Sequence, residues 1–263
     1  MNSINQSAAS RPLISVITVC YNAVEFIGHC MQSVLSQNFD DFEYIVIDGG
    51  SGDGTCNVIE KYSDRLAYWH SKPDRGLAHA FNQGIEHSKG KWLIFLNSDD
   101  FFVDASVLGK FATELGTRPD FDVVYGQIDI VSRETIPQYK GGPYGKPFKW
   151  WRFVVVNDVL PHPAAATNRA LFERIGVFRE DMSIALDHEF FLRAGPDMKI
   201  KFVPFLVASM RDGGMSKVNP GESFNHNHQA RLAANVLSPR LSRLLYYYQV
   251  TRSMIGRLVR RQA

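Results

Sequence analysis

The sequence predicts an α/β fold in which a mostly parallel central sheet is flanked by helices and followed by a C-terminal helical tail. Short apolar runs with the length of buried strands alternate with segments whose apolar residues recur at helical spacing. The strand-like runs cover residues 13–19, 43–47, 66–70 and 92–96. The helical segments cover residues 24–37, 55–62, 77–87 and 105–115. Because strands and helices that alternate at this spacing form βαβ units, the order of the elements predicts parallel pairing.

The overall composition is that of a globular protein. The chain has 263 residues, of which 45% are hydrophobic and 21% are charged, and its net charge is +2. A charge so close to neutral, without a recognition module, argues against nucleic acid as a partner. The three cysteines, an odd number without metal-like spacing, are typical of a reducing compartment. No apolar run has the length of a membrane span, so we expect a cytoplasmic protein.

The most informative stretch joins an apolar run at residues 92–96 to Asn97, Ser98, Asp99 and Asp100. Polar residues at the carboxyl end of a buried parallel strand lie where open α/β sheets bind their ligands. Two adjacent carboxylates repel each other unless a cation lies beside them, and oxygen ligands suit Mg²⁺ or Mn²⁺. The pattern therefore predicts a metal site that could bridge to a phosphate. The alternative is that the two aspartates simply cap the helix that follows.

A glycine-rich loop at residues 49–54 follows the strand that ends at Asp48. Strand, glycine-rich loop and helix form an arrangement that lets backbone N–H groups approach phosphate or ribose, although the loop matches neither the dinucleotide fingerprint nor the Walker loop. A plain flexible connection is the alternative. Asp48, Asp74 and Asp99 each end a strand or follow one closely, so a parallel sheet would bring all three to one edge. Three converging acidic residues exceed what helix capping needs.

Several segments, in order over about residues 13–215, resemble family 2 glycosyltransferases, which have the GT-A fold with its Rossmann-like sheet. The matching segments are residues 15–22, 47–55, 74–84 and 96–100. The resemblance implies a GT-A catalytic domain at residues 11–218, preceded by a disordered segment at residues 1–10 and followed by a basic helical extension at residues 219–263.

The resemblance also implies roles for individual residues. Asp99, together with Asp100, would hold Mg²⁺ or Mn²⁺ against the diphosphate of a donor. Two departures stand out, because Gly49 replaces the second Asp of the nucleotide loop and Asn97 replaces the first Asp of the Asp-x-Asp motif. The residues that would contact the nucleoside diphosphate sugar are Thr18, Tyr21, Asp48, Ser51, Asp74, Gly76, Asn82, Asn97 and Ser98.

A second acidic centre lies at Asp187. Inverting sugar transfer needs a base that takes the proton of the acceptor hydroxyl, and this stretch resembles the family segment that carries it. Asp187 is therefore the predicted base, with Glu189 as the fallback and a simple N-cap as the structural alternative. His162 is expected to face the cleft, although a structural histidine between two prolines is a comparable reading. Arg211 is expected to add charge on the diphosphate side.

The tail has no acidic residue after Glu222 but carries seven arginines among apolar residues at helical spacing. Such a basic amphipathic helix can lie on an anionic membrane surface, at the inner face of the plasma membrane, or pack on the catalytic domain or on a second subunit.

The function that these features predict is inverting, metal-dependent transfer of a sugar from a UDP- or GDP-type donor to a hydroxyl of a saccharide, free or lipid-linked, in bacterial polysaccharide biosynthesis. The alternative is a non-catalytic nucleotide-sugar-binding or scaffold protein of the same fold, which Gly49 and Asn97 favour. A sugar nucleotidyltransferase would need a glycine-rich loop with Arg or Lys near the first strand, and the sequence lacks it.

Overall fold

The computed structural model describes residues 11–116, 120–134, 136–156, 158, 160–182, 184–213 and 220–262. The N-terminal segment predicted to be disordered lies outside these residues. The strands are β1 (Ile14–Cys20), β2 (Phe42–Asp48), β3 (Tyr68–Ser71), β4 (Trp92–Phe95), β5 (Phe101–Phe102), β6 (Val123–Val131), β7 (Tyr139–Tyr144), β8 (Ala165–Asn168) and β9 (Ile200–Arg211). The helices are α1 (Ile27–Leu35), α2 (Thr55–Glu60), α3 (Leu77–His87), α4 (Val107–Gly116), α5 (Trp150–Val156), α6 (Arg169–Ile175), α7 (Leu186–Ala194), α8 (Pro220–Ala233) and α9 (Pro239–Gln262).

The described strands form one sheet in the order β3-β2-β1-β4-β8-β6-β9-β5, with β7 paired to β6. Strands β3, β2, β1 and β4 are parallel, as the βαβ pattern predicts. In the second half, β8 runs antiparallel to both β4 and β6, while β9 is parallel to β6. The carboxyl ends of β1 to β4 therefore meet at one edge of the sheet, where the predicted acidic residues fall.

Both faces of the sheet are covered, because side chains that alternate along a strand enter two different cores. In β1, Ile14 and Val16 pack into the core on the α1 and α4 side. Ile17 and Val19 pack into the core on the α3, α6 and α7 side. All seven residues of β1 are buried, which explains why the strand reads as a continuous apolar run rather than as an alternating one.

Close packing of α3 against β1 fixes the loop that precedes α3. A Cβ at Gly84 in α3 would overlap Cγ2 of Ile17 in β1. Only a glycine therefore lets the helix approach the strand this closely. The helix and the preceding residues 72–76 are thereby positioned at the carboxyl edge of the sheet.

The boundaries of several elements differ from the sequence prediction. The third strand is Tyr68–Ser71 rather than residues 66–70, and α1 begins at Ile27 rather than at residue 24. The reason for the late start of α1 is that the preceding turn is tied to the glycine-rich loop, since Val24 N donates to Asp53 Oδ2 at 3.1 Å. Strand β7 contains proline and glycine, which are tolerated because it is an edge strand.

The C-terminal helices pack back on the rest of the molecule. Helix α8 contacts α7, and α9 contacts α8. Arg231 of α8 is fully buried and donates to the carbonyl oxygen of Val154 in α5 at 3.4 Å. In the described part of the chain, no helix is both long enough and apolar enough to cross a membrane.

Candidate active site

Asp48 ends β2 and organises the glycine-rich loop that follows it. Its Oδ1 accepts a hydrogen bond from Ser51 Oγ at 2.5 Å, and its Oδ2 accepts from Ser71 Oγ at 2.5 Å and from Ser51 N at 2.9 Å. Burial alone raises the pKa of Asp48, but the hydrogen bonds from Ser51 and Ser71 outweigh it and hold the pKa below its usual value. Asp48 is fully buried, so its carboxylate anchors the loop from within, and its contact with the nucleotide stays a prediction.

The glycine-rich loop is tied to the turn after β1. Asn22 N donates to Ser51 Oγ at 2.7 Å, and Gly52 N donates back to Asn22 Oδ1 at 3.0 Å. Asn22 occupies the left-handed region with φ of 49°, a conformation that asparagine tolerates better than most residues. The loop is therefore held on both sides, and its alternative interpretation as a plain flexible connection is not supported.

Asp74 fills the space that a side chain at position 49 would need. A Cβ on Gly49 would lie 2.6 Å from Asp74 Oδ2 and 3.4 Å from Tyr21 Cδ2. The other oxygen of Asp74 accepts from Gly76 N at 2.7 Å, and Gly76 has a φ of 112° that favours glycine. Tyr21 is 67% exposed beside this group. The glycine at position 49 thus makes room for a carboxylate from another loop, which leaves a surface of Tyr21, Asp74 and Gly76 facing the solvent.

Two residues predicted to contact the nucleotide sugar have partners inside the protein. Thr18 is fully buried, and its hydroxyl accepts from Tyr44 Oη at 3.0 Å. The amide of Asn82 bridges α3 to the backbone of Phe178, donating to its oxygen at 2.9 Å and accepting from its nitrogen at 3.0 Å. Each polar group has a structural role, and its contact with the nucleotide sugar stays a prediction.

The acidic pair lies beyond the end of β4. Asp100 is 2% exposed, while the side chain of Asp99 is 27% exposed. Asn97 Nδ2 donates to Asp100 Oδ2 at 3.2 Å, and Arg211 N donates to Asp100 Oδ1 at 3.3 Å. Burial, and then the charge of Asp99, raises the pKa of Asp100 to about 8. Keeping both carboxylates ionised at this buried place is therefore unfavourable, and a bound cation would reduce that cost.

The pair does not cap α4. The residue that serves the start of α4 is Asp104, whose Oδ1 accepts from Ser106 N at 2.7 Å. Ser98 lies half-buried between Asn97 and Asp99. Among the described residues, no group of three His, Cys, Asp or Glu side chains is arranged to hold a metal. One or two carboxylates completed by substrate phosphates is nevertheless a usual arrangement for Mg²⁺, so Asp99 and Asp100 fit a cation that arrives with a diphosphate.

A basic and aromatic cluster borders the acidic pair. Arg133 Nη1 lies 3.1 Å from Asp99 Oδ2. The guanidinium groups of Arg133 and Arg211 lie 4.7 Å and 4.9 Å from the ring centre of Phe26. Arg211 is only 4% exposed, and its Nη2 lies 3.0 Å from His29 Nδ1. The side chain of Arg211 is thus buried beside the acidic pair, and the expectation that it adds charge on the diphosphate side stays a prediction.

Asp187 lies in the first turn of α7, half-buried. The N-cap residue is Ala185, so the interpretation of Asp187 as a plain N-cap is wrong. Burial lowers the pKa of His162, and the charge of Asp187 opposes that shift. The ring of His162 stacks on Phe95, the last residue of β4, with centroids 5.0 Å apart.

His162 belongs to an aromatic cluster with Phe81 and Phe178 as well as Phe95. Its ring is therefore held by packing, and it is half-buried rather than open to the cleft. This placement favours the structural interpretation of the residue over a direct contact with substrate.

Glu189 cannot serve as the fallback base. Its side chain is fully buried and pairs with Arg193, one turn later in α7, at 3.0 Å. Arg193 also donates to the backbone oxygens of Ile175 and Val177. Glu189 therefore fixes the segment after α6, and the prediction that it faces the acceptor or the diphosphate is wrong.

The fold is an α/β fold with polar residues at the carboxyl edge of its parallel strands, and comparison with known proteins gives the family. Residues 15–176 match the family model described as glycosyl transferase family 2. An uncharacterized glycosyltransferase of Mycobacterium tuberculosis is 35% identical over 188 residues, which is 70% of each chain. The chain therefore belongs to glycosyl transferase family 2 and is a glycosyltransferase, and the non-catalytic alternative is not retained.

Solved structures confirm the GT-A fold. TarS 1–349 of S. aureus, in complex with UDP-GlcNAc, is 18% identical with a TM-score of 0.63, covering 91% of this chain and 72% of that one. A mannosyltransferase from Pyrobaculum calidifontis, in complex with GDP-Man and Mn²⁺, is 16% identical with a TM-score of 0.61, covering 94% and 76%. At these identities the similarity establishes the fold and not the ligands of this chain.

Sequence reasoning missed two residues at this edge. Ser71 is paired with Asp48 in the register of β3 and β2, so the rule that places polar residues at strand ends could have found it. Arg133 follows β6, which pairs with strands far away in the sequence, and no motif marks it. The sheet order was needed to bring Arg133 next to Asp99.

Proposed function

We propose that this glycosyltransferase transfers a sugar from a nucleoside diphosphate sugar to a hydroxyl of a saccharide, with inversion at the anomeric carbon. The observation that supports this proposal is the carboxyl edge of the parallel strands, where Asp74 follows β3 and Asp99 follows β4. Asp187, in the first turn of α7, is proposed to face this edge. We assign this activity to a catalytic unit at residues 11–218, with residues 219–263 as an extension.

The donor nucleotide is proposed to lie over the glycine-rich loop. Tyr21 offers an exposed aromatic face on which a nucleotide base can stack. Asp74, held beside Gly49, is an acceptor for base or ribose donors. The complexes of the two structurally similar enzymes with UDP-GlcNAc and GDP-Man support a UDP- or GDP-type donor.

Mg²⁺ or Mn²⁺ is proposed to bind at Asp99, with Asp100 and the amide oxygen of Asn97 close by. The carboxylate of Asp99 is 27% exposed, which suits a metal ligand, and burial together with the charge of Asp99 raises the pKa of Asp100, a cost that a bound cation would reduce. Mn²⁺ in the Pyrobaculum calidifontis structure supports the same choice. When bound, the cation would offset the negative charge that develops on the diphosphate leaving group.

Asp187 is proposed to be the general base. Its carboxylate would take the proton of the acceptor hydroxyl while that oxygen forms a bond to the anomeric carbon. The bond from the anomeric carbon to the diphosphate oxygen breaks in the same displacement, and the nucleoside diphosphate leaves. One displacement from the face opposite the leaving group inverts the anomeric configuration. No side-chain nucleophile is required.

The acceptor is proposed to be a saccharide at a membrane surface, as in bacterial polysaccharide biosynthesis. Helix α9 exposes Leu241, Leu244, Tyr247 and Tyr248 together with arginines at positions 240, 243 and 252, a combination that suits anionic lipid headgroups.

The protein should therefore sediment together with anionic vesicles. Leu244→Ser should reduce the bound fraction more than Ile136→Ser, which changes an exposed apolar residue elsewhere. Equal retention on neutral vesicles would contradict this assignment, and concentration-dependent dimers without lipid binding would assign the surface to a second subunit.

The experiment that tests the donor is a screen of UDP- and GDP-sugars for thermal stabilisation in the presence of Mn²⁺. A ligand that binds only the folded protein raises the melting temperature. We expect one donor class to stabilise the wild type, and Asp99→Ala to lose the part of the stabilisation that depends on Mn²⁺. Stabilisation that is identical with and without Mn²⁺ would reject the metal site, and the absence of any stabilising nucleotide would reject the donor proposal.

A further inference from the structure

We propose that Arg133 is an exchangeable counter-cation, which neutralises Asp99 in the ligand-free enzyme and moves to the donor diphosphate when a divalent cation binds Asp99. The proposal rests on the donor and metal assignments above. It adds a residue that couples the binding of the cation to the binding of the nucleotide.

The contact between the two side chains is the first observation. Arg133 Nη1 lies 3.1 Å from Asp99 Oδ2, and the two side chains are 44% and 27% exposed. The pair is therefore open enough to exchange partners, unlike the buried pair of Glu189 and Arg193. An exposed ion pair of this kind contributes little to folding stability, so breaking it during a catalytic cycle has a small cost.

The backbone on both sides of Arg133 is held by Arg211, while the Arg133 side chain is 44% exposed. The buried guanidinium of Arg211 donates to the carbonyl oxygen of Ser132 at 3.4 Å and to that of Glu134 at 2.9 Å. The side chain of Arg133 lies over the ring of Phe26, at 4.7 Å from the ring centre. A cation over an aromatic face keeps an attractive partner when its carboxylate is lost. The guanidinium can thus leave Asp99 without leaving the site.

Charge then decides which partner Arg133 takes. A divalent cation on Asp99 would lie within a few ångströms of the guanidinium and repel it. A diphosphate brings several negative oxygens, and guanidinium groups bind phosphate through paired hydrogen bonds. Without a diphosphate, the divalent cation displaces the Arg133 guanidinium from Asp99, and the guanidinium gains no negative partner in exchange. With a diphosphate, the displaced guanidinium binds the phosphate oxygens. Cation and nucleotide therefore promote each other's binding, and this coupling is reciprocal.

The test measures Mn²⁺ binding from the loss of its free EPR signal, with and without UDP or GDP. The proteins are wild type, Arg133→Gln, Arg133→Met and Arg133→Lys. The matched control is Arg179→Gln, which removes an exposed arginine paired with Asp181 at 2.7 Å. Isothermal titration of the nucleoside diphosphate without metal completes the set.

We expect both neutral variants to bind Mn²⁺ alone roughly threefold to tenfold more tightly than wild type, because a competing cation is gone. They should bind the nucleoside diphosphate alone more weakly, so that the mutual enhancement shrinks. Arg179→Gln should behave as wild type. Arg133→Lys should keep the competition with Mn²⁺ because it keeps the charge, but it should bind the nucleoside diphosphate more weakly than wild type because an ammonium lacks the paired hydrogen bonds. Unchanged or weaker Mn²⁺ binding in both neutral variants would overturn the proposal. Wild type that binds no Mn²⁺ even with nucleotide would instead reject the metal site itself.

Discussion

The hydroxyl of Ser71 donates a 2.5 Å hydrogen bond to the carboxylate of Asp48, across the ends of two parallel strands. The same carboxylate also receives the hydroxyl of Ser51 from the glycine-rich loop. A single buried acid therefore joins the ends of β2 and β3 to the loop on which the donor is proposed to lie. The loop acts as a rigid platform because its anchor is buried and fully hydrogen bonded.

Replacing Ser71 with alanine should loosen this platform. The variant removes one hydrogen bond to a buried carboxylate, so we expect a loss of about 1–3 kcal/mol in the free energy of unfolding. Nucleotide affinity should fall as well, because the loop is then less ordered. Urea unfolding and calorimetry measure the two effects. Ser36→Ala, at an exposed serine, is the control and should change neither; a Ser71→Ala variant as stable as wild type would contradict the assigned anchor.

A side chain introduced at position 49 should weaken nucleotide binding because it displaces the carboxylate of Asp74. Gly49 is not in the left-handed region, so alanine is allowed there by the backbone and its effect is the overlap with Asp74 Oδ2. We expect Gly49→Ala to weaken nucleotide binding by about threefold to tenfold.

The double variant tests the origin of this effect. In Asp74→Ala protein the overlap is gone, so Gly49→Ala should then have little further effect, and the two changes should not be additive. Gly52→Ala is the matched control, because a Cβ there would meet nothing within 4 Å. Additive losses in the double variant would show that Gly49 acts by another route.

His188 should make the enzyme sensitive to acid. Burial lowers the pKa of His188 to about 4. The charge of Asp187 opposes this shift, and the charge of Arg231 adds to it. Its Nε2 is buried without a hydrogen-bond partner in the described part of the chain. Between pH 6.5 and 4 the unfolded chain binds a proton that the native state does not, so stability falls as the pH falls.

The size of the stability loss follows from the difference between the His188 pKa in the unfolded and the native protein. Between pH 7.5 and pH 5, His188 should cost wild type about 2 kcal/mol of unfolding free energy, and His188→Gln should not show this loss. Urea unfolding at the two pH values gives the comparison. Parallel pH dependence in the two proteins would mean that His188 is accessible to protons in the native state.

Arg231 should be essential for docking of the C-terminal helices. Its buried guanidinium contacts the backbone of Val154 in α5 and the side chains of Ser242 and Gln249 in α9. Arg231→Ala would leave a cavity and buried polar groups, so we expect a loss of about 2–4 kcal/mol. Arg243→Ala, at the exposed position next to Ser242 in the chain, should stay within about 0.5 kcal/mol of wild type. A thermal melt distinguishes them, and equal melting temperatures would contradict the docking role.

The first half of the fold could be predicted because its signals are local. The strand at residues 92–96 and the polar residues after it follow from hydrophobic pattern alone, and the structure places them at the carboxyl edge of a parallel sheet. The family motifs fall in the same region. The second half could not be derived this way, because β8 and β9 pair with strands far from them in the chain.

Side-chain direction was the part of the site that the pattern could not give. Thr18 and Tyr21 both end the first strand region, yet Thr18 points into the core while Tyr21 is exposed. Glu189 lies two residues after Asp187 in α7, and this separation turns it toward Arg193 in the interior. Motif matching assigns a residue to a site, whereas packing decides whether its side chain reaches the ligand.

The central claim is that Asp187 takes the acceptor proton at the edge where the donor binds, and the Asp187→Asn variant tests it most directly. Asparagine keeps the shape but cannot accept the proton, so transfer should fall by at least about a hundredfold while the Kd for the nucleoside diphosphate stays within about twofold. Asp181→Asn, at an exposed acid paired with Arg179, should retain both. Near-normal transfer by Asp187→Asn would contradict the account.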